Sequence, residues 1–187
     1  MPARIGILNV MEEFLDILDT DGKKTGESKS YDDAHHSGFI HRTVHVWFLS
    51  SKNELLLQKR SANKRAYPNH WDISAAGHIS AGQTSLEAAK RETQEELGLT
   101  LSDSIFDYLS SVEEHIVLNN GTYVNNELQD VYLVHSDVVL SELKLPADEV
   151  SEVRWIGIEE FKLWVKGEGE MLVPHDEEYS LLLKRLG

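Results

Sequence analysis

The chain has 187 residues, 41% of them hydrophobic and none of them cysteine, which allows one sizeable core but no disulfide framework, thiolate metal site or thiol nucleophile. Its 32 acidic residues against 18 basic ones give a formal charge of −14, which disfavours a nucleic-acid polymer as partner, because basic patches supply most of that affinity. No run reaches the roughly 20 consecutive apolar residues of a membrane span, and the start MPARIGILNVMEEFLDIL lacks the basic opening and small-residue cleavage site of a secretory leader, so a cytoplasmic location is expected.

In chain order, EFLDILDTDGKKTGES reads as two short strands around Asp21-Gly22, a pair suited to positive φ in a hairpin turn. It is not a calcium loop, because Lys23 stands where the EF-hand pattern needs its third oxygen ligand. A polar, histidine-bearing connection leads to TVHVWFLS and ELLLQKRS, β-rich runs separated by the turn-like SKN, which predict a second hairpin. After the loop ANKRAYPNHWDISAAG comes a helix. IFDYLSSVEEHIVL and TYVNNELQDVYLVHS then flank Asn119, Asn120 and Gly121 as a third hairpin. EVSEVRWIGI predicts a last strand running into EEFKLWVK, and the tail PHDEEYSLLLKRLG has helical apolar spacing. This order predicts an α/β domain with helices packed on a mixed sheet.

The helix is the most informative element. Thr84-Ser85-Leu86-Glu87 fits a capping box, so the helix begins near Ser85, and Gly98 is placed to end it in the left-handed conformation after about 13 residues. Leu86, Ala89, Thr93 and Leu97 form the stripe expected to face the core. Glu92, Glu95 and Glu96 converge off that stripe, and Glu92 and Glu96 repel at i,i+4. A solvated acidic face laced by Glu87–Arg91 and Arg91–Glu95 pairs is one explanation. The preceding loop favours another: Gly77 and Gly82 let backbone carbonyls approach a ligand, and carboxylates with carbonyls suit hard divalent cations such as Mg²⁺, which in turn bind phosphates. Such a local site would also let a small phosphorylated ligand overcome the acidic field.

Residues 77–99, GHISAGQTSLEAAKRETQEELGL, resemble the Nudix box: glycine, five residues, glutamate, seven residues, Arg-Glu, an apolar residue, any residue, Glu-Glu, any residue, glycine, an apolar residue. Gly77, Arg91, Glu92, Glu95, Glu96, Gly98 and Leu99 are in register, while Gln83 replaces the first glutamate and Thr93 the aliphatic position. The resemblance implies a Nudix-type α/β/α sandwich with a mixed central sheet, an N-terminal β-hairpin and a C-terminal helix. It reads residues 1–187 as a single domain: hairpin and connection over 12–36, core over 37–165 and helical extension over 166–187. It further implies Mg²⁺, or Mn²⁺, held by Glu92, Glu95 and Glu96 with Gly77 and His78 beside them. Arg91 orients the glutamates, and a metal-activated water cleaves a diphosphate linkage in a small metabolite of nucleoside-diphosphate or other type.

The run HRTVHVWFLSSKNELLLQKRSANKRAYPNHWDISAAGH resembles the Nudix branch related to isopentenyl diphosphate isomerase. The catalytic cysteine of those isomerases falls on Ala76, which neither donates nor accepts a proton, so hydrolysis is expected instead of isomerisation. By the same resemblance, histidines matching His41, His78 and either His35 or His36 hold a metal with acidic groups near Glu127, Asn125 replacing one of these. Arg60 and Lys64, within the basic cluster Lys59, Arg60, Lys64 and Arg65, match diphosphate-binding positions, with His41 and Gly77 at the same pocket. Glu127 and Glu149 are the candidate general bases, Glu152 a surface charge, and His45 and His135 packing or surface residues. Trp47, Tyr67 and Trp71 either line a pocket or fill the core. The rival expectations are a phosphometabolite-binding module without turnover and, behind it, the isomerase; homodimerisation is left open.

Overall fold

In the computed structural model, which describes residues 12–187, chain reversals fall where residues tolerant of positive φ stand. Strands β1 (Phe14–Leu18) and β2 (Lys24–Ser30) pair antiparallel. Their turn is held by the Asp19 carboxylate, which accepts from the Asp21 and Lys23 amides, and by Gly22 at φ +74°. Strands β7 (Phe106–Leu118) and β8 (Tyr123–His135) form the long hairpin expected around Asn119, Asn120 and Gly121, all at positive φ.

The predicted pairing of the next two strands is corrected. Strands β3 (His41–Leu49) and β4 (Glu54–Arg60) meet only beside their turn, at Phe48↔Leu56 and Leu49↔Leu55. Beyond it they part. β3 runs parallel to β8 from His41↔Glu127 to Leu49↔His135, and β4 runs antiparallel to β9 (Val150–Gly157). The supposed loop after β4 supplies two short strands in the fork, β5 (Trp71–Asp72) on β4 and β6 (Ala75–His78) on β3. They are too brief to show a period of two. The histidine-bearing connection likewise contains a short helix, α1 (Tyr31–Ser37), capped by Ser30 and ended by Gly38 at φ +69°.

Helix α2 (Ser85–Leu97) has the bounds and reciprocal Thr84–Glu87 cap that its sequence predicts, with Gly98 left-handed behind it. Two further helices close the chain, α3 (Ile158–Val165) and α4 (Asp176–Leu186). Alternation along β3 makes the sandwich. Val44, Val46 and Phe48 pack with Ala88, Ala89 and Leu97 of α2 on one face. Trp47 and Leu49 pack with Phe161 and Trp164 of α3 and Tyr179 and Leu182 of α4 on the other. Trp47 and Trp71 are therefore core residues. Among the described residues no helix is long and apolar enough to cross a membrane.

Candidate active site

A cavity of about 670 Å³ lies in the fork between β3 and β4. Thr43 and His45 of β3, Arg60 of β4, Asp72 of β5, Gly77 and His78 of β6, and the acidic face of α2 all contribute to its wall. Of the residues singled out by sequence, Arg60, Lys64, Gly77, His78, Arg91, Glu92, Glu95, Glu96, Glu127 and Glu149 line it, and His41 lies fully buried behind Glu127.

The acidic face of α2 is not a solvated one. Glu92 and Glu96 are 8% and 6% exposed, whereas Glu95 faces outward. Glu96 accepts from Gln58 Nε2 at 2.7 Å and from the Ala76 amide at 3.0 Å. Strand β6 passes directly over Glu92, so that a Cβ on Gly77 would collide with its carboxylate. Arg91 holds two of the three carboxylates: its Nη1 donates to Glu92 at 2.7 Å and to Glu95 at 2.9 Å, and its Nη2 to the His78 carbonyl at 2.7 Å. Glu87, expected to pair with Arg91, is held instead by the helix cap. Gln83 Oε1 sits 3.4 Å from Arg91 Nη2, a neutral acceptor where the family motif has a charged one. Burial, with mutual repulsion behind it, pushes Glu92 up to about 8 despite Arg91. Burial and the charge on Asp72 push Glu96 up to about 7.

Across the cavity, His35, His41, His78 and Glu127 form a second group of ligand-type side chains. Their nitrogens lie 4.0, 3.7 and 3.8 Å from Glu127 Oε1. His35 and His41 donate through Nδ1 to the carbonyls of Tyr31 and Phe39, leaving Nε2 turned inward, and His41 Nε2 has no partner. Backbone-anchored imidazoles with inward lone pairs are what a metal requires of histidine. Burial lowers His35 and takes His78 down to about 3. Burial alone would raise Glu127, but the surrounding histidines hold it well below the usual carboxylate range. Of the two upstream histidines, His35 is the buried member of the group and His36 is exposed. Glu127, a candidate base by sequence, is enclosed among these imidazoles.

Three of the four residues of the basic cluster are already paired, and Lys59 lies over the Trp71 ring. Arg60 donates to Asp72 at 2.8 Å, Lys64 to Glu149, and Arg65 to Asp32 at 3.2 Å. Glu152 and His135 are exposed as expected. His45 is neither a packing nor a surface residue: it is buried, bonded to Glu178 of α4 at 2.6 Å, with Trp47 Nε1 on the other oxygen. Sequence reading also missed Asp72, Glu114 and His175. His175 joins them, 3.3 Å from Asp72 and 3.0 Å from Glu114. Its one available signal was Pro174 before it, which forces an extended entry to α4.

The NUDIX domain family model matches residues 39–173, well over half of the sequence. The chain belongs to the Nudix family. This Nudix hydrolase is 44% identical over 168 residues to Nudix hydrolase 3 of Arabidopsis thaliana, covering 88% of this chain but spanning only 22% of that longer protein. It is 33% identical over 162 residues to an uncharacterized Nudix hydrolase of Listeria monocytogenes, covering 87% of one chain and 89% of the other. Isopentenyl-diphosphate isomerases also match, at lower identity. A Deinococcus radiodurans crystal structure shares the fold with a TM-score of 0.70 at 23% identity, covering 93% of this chain and 99% of that one.

Proposed function

We propose that this Nudix hydrolase cleaves a diphosphate linkage in a small metabolite with the help of Mg²⁺ or Mn²⁺. The observation that carries this reading is the buried pair Glu92 and Glu96 beside Glu95, three carboxylates with one arginine among them. The donor set fits a hard divalent cation: carboxylates, with the backbone of Gly77 close by because glycine lacks the colliding Cβ. Such an ion supplies neutralisation of the diphosphate charge and a lowered pKa for water. His35, His41, His78 and Glu127 form a second donor set, and the unpartnered His41 Nε2 supports it.

The chain's own residues do the rest. Arg91 fixes Glu92 and Glu95 and ties them to the His78 carbonyl. Arg60 and Lys64 grip phosphate oxygens once the substrate competes them away from Asp72 and Glu149. Release of Lys64 frees Glu149 as the candidate base. Isomerisation lacks its acid, since Ala76 carries only a methyl group and the chain has no cysteine.

The test is phosphate or nucleotide release by the purified protein with Mg²⁺ and with Mn²⁺, across nucleoside di- and triphosphates, nucleotide sugars, dinucleotides and isopentenyl diphosphate. Glu95→Gln and Glu96→Gln are expected to lower kcat by several orders of magnitude with the fold intact. Near-normal turnover in both would sink the reading. Metabolite binding without turnover in the wild type would replace it with the binding module.

A further inference from the structure

Three histidines line the active-site cavity, His45, His78 and His175, and their neighbours set them apart. His78 faces Glu127 within the second donor group. His175 has both ring nitrogens against carboxylates, Nε2 on Asp72 at 3.3 Å and Nδ1 on Glu114 at 3.0 Å. His45 commits its Nδ1, which donates at 2.6 Å to Glu178 Oε2, and Glu178 does not line that cavity. We propose that His45, backed by Glu178, is the proton donor of the cavity, its Nε2 protonating the oxygen that leaves phosphorus. The proposal rests on the hydrolase reading and adds the acid to its metal and base.

Ring geometry aims His45. The two nitrogens of an imidazole point away from each other, so a ring that gives Nδ1 to a carboxylate outside the wall turns Nε2 toward the space it lines. Glu178 is locked in turn: it is 1% exposed, and the fully buried Trp47 donates through Nε1 to its other oxygen at 2.6 Å. A buried carboxylate that orients an imidazole and stabilises its charged form is the arrangement by which proteins hold a histidine for proton transfer. Burial alone would lower His45, but the charge and hydrogen bond of Glu178 raise it above its ordinary value, which favours the protonated ring. Asp72 of β5 and Glu127 of β8 act in the same direction, and His175, 5.0 Å away between ring centres, acts against it.

Strand register places His45 beside the carboxylates of α2. Its cross-strand partner on β6 is Ala76, whose amide donates to Glu96 at 3.0 Å. Cross-strand partners share a face, and Ala76 offers only a methyl group there, so β6 leaves His45 open to a substrate held at Glu96. Arg60, Lys64, Arg65 and Arg91 also line the cavity, but guanidinium and ammonium groups keep their protons near neutral pH and serve as fixed charges. In the proposed step a water oxygen bonds to phosphorus and its proton passes to Glu149. The bond from phosphorus to the bridging oxygen breaks, its electron pair stays on that oxygen, and His45 Nε2 supplies the proton. The neutral ring is then reprotonated from solvent.

The test separates proton transfer from architecture. His45→Asn keeps an amide N–H at the place of Nδ1, so the bond to Glu178 survives while Nε2 is gone. Its Tm is expected to stay close to that of wild type, while kcat on the best substrate of the panel falls about 10²–10⁴-fold with little change in KM. His45→Ala is expected to regain activity when imidazole is added, which a structural role would not give. Glu178→Gln keeps the Trp47 contact but removes the charge behind the ring, so the alkaline limb of the pH–rate profile should move to lower pH. Contact is read without turnover: in Mg²⁺-loaded protein with isotope-labelled histidine, methylenediphosphonate, which cannot be hydrolysed, is expected to shift the Nε2 resonance missing from His45→Asn. Near-normal kcat in His45→Asn, or an Nε2 resonance indifferent to methylenediphosphonate, overturns the proposal and leaves the hydrolase reading standing. A loss of activity matched by a collapse of Tm, with no imidazole rescue of His45→Ala, makes the pair a strut for α4 and overturns it too. Wild type inactive on every compound of the panel sinks the hydrolase reading and the acid with it.

Discussion

Replacing Glu92 with glutamine should stabilise the metal-free protein at alkaline pH, although it removes a proposed metal ligand. In the folded chain burial raises Glu92 to about 8, whereas in the unfolded chain it titrates near 4.3. Folding thus retains a proton that the unfolded chain has lost. Stability from this group is fully present below the unfolded value and is lost as pH rises through the folded one. At about 1.4 kcal/mol per pKa unit, ionised Glu92 opposes folding by on the order of 4–5 kcal/mol above pH 8. The substituted glutamine is neutral throughout, so the variant escapes that cost. For a chain of this length, about 2–4 °C per kcal/mol converts it to a gain of roughly 10–20 °C in Tm.

The assay is thermal unfolding of wild type and Glu92→Gln in chelator at pH 5, 7 and 9, read as the difference between the two proteins, which cancels the opposing titrations of Asp72 and Glu127. The difference should be small at pH 5 and grow with pH. Adding Mg²⁺ should raise the wild-type Tm and narrow the gap. A difference independent of pH, or a variant less stable than wild type at pH 9 without metal, would refute the reasoning.

Gly77→Ala should weaken Mg²⁺-induced stabilisation and lower kcat at least tenfold, because the new methyl meets the Glu92 carboxylate; metal titration followed by Tm checks it. Glu178→Ala leaves His45 and Trp47 Nε1 buried without their acceptor and should cost about 3–5 kcal/mol, read as a lower urea midpoint at unchanged slope. Gln83→Glu places a charge beside Arg91 Nη2; turnover should hold or rise, and a fall beyond tenfold would show that the neutral residue is required.

What was legible in the sequence was what a few adjacent residues decide. Thr84 and Glu87 form their cap within one turn, Gly98 supplies the left-handed stop, and Asn119-Asn120-Gly121 bend the chain by their own backbone preferences. The Nudix box is local in the same sense, a single helix with its preceding loop. Pairings between distant segments were not legible. The adjacency of β3 and β4 predicted a hairpin, but parallel pairing with β8 gives β3 a longer ladder with both faces buried. His175 reaches the cavity and Glu178 reaches His45 in its wall because α4 docks against β3, and apart from Pro174 nothing near them marks either as a site residue. Burial was illegible too: the spacing of Glu92 and Glu96 gives their direction but not the strand laid over them.

The parallel ladder of β3 on β8 sets a timetable for the newborn chain. Thr43 and Glu127, whose side chains meet across it, are 84 residues apart. At synthesis rates of about 5–20 residues per second, the ribosome needs on the order of ten seconds to deliver the second after the first. Through that interval HVWFL waits without its partner, apolar, β-prone and uncharged, the kind of segment that recruits its like from other nascent chains. Yield of intact protein should therefore depend on translation speed and temperature more than its final stability would suggest.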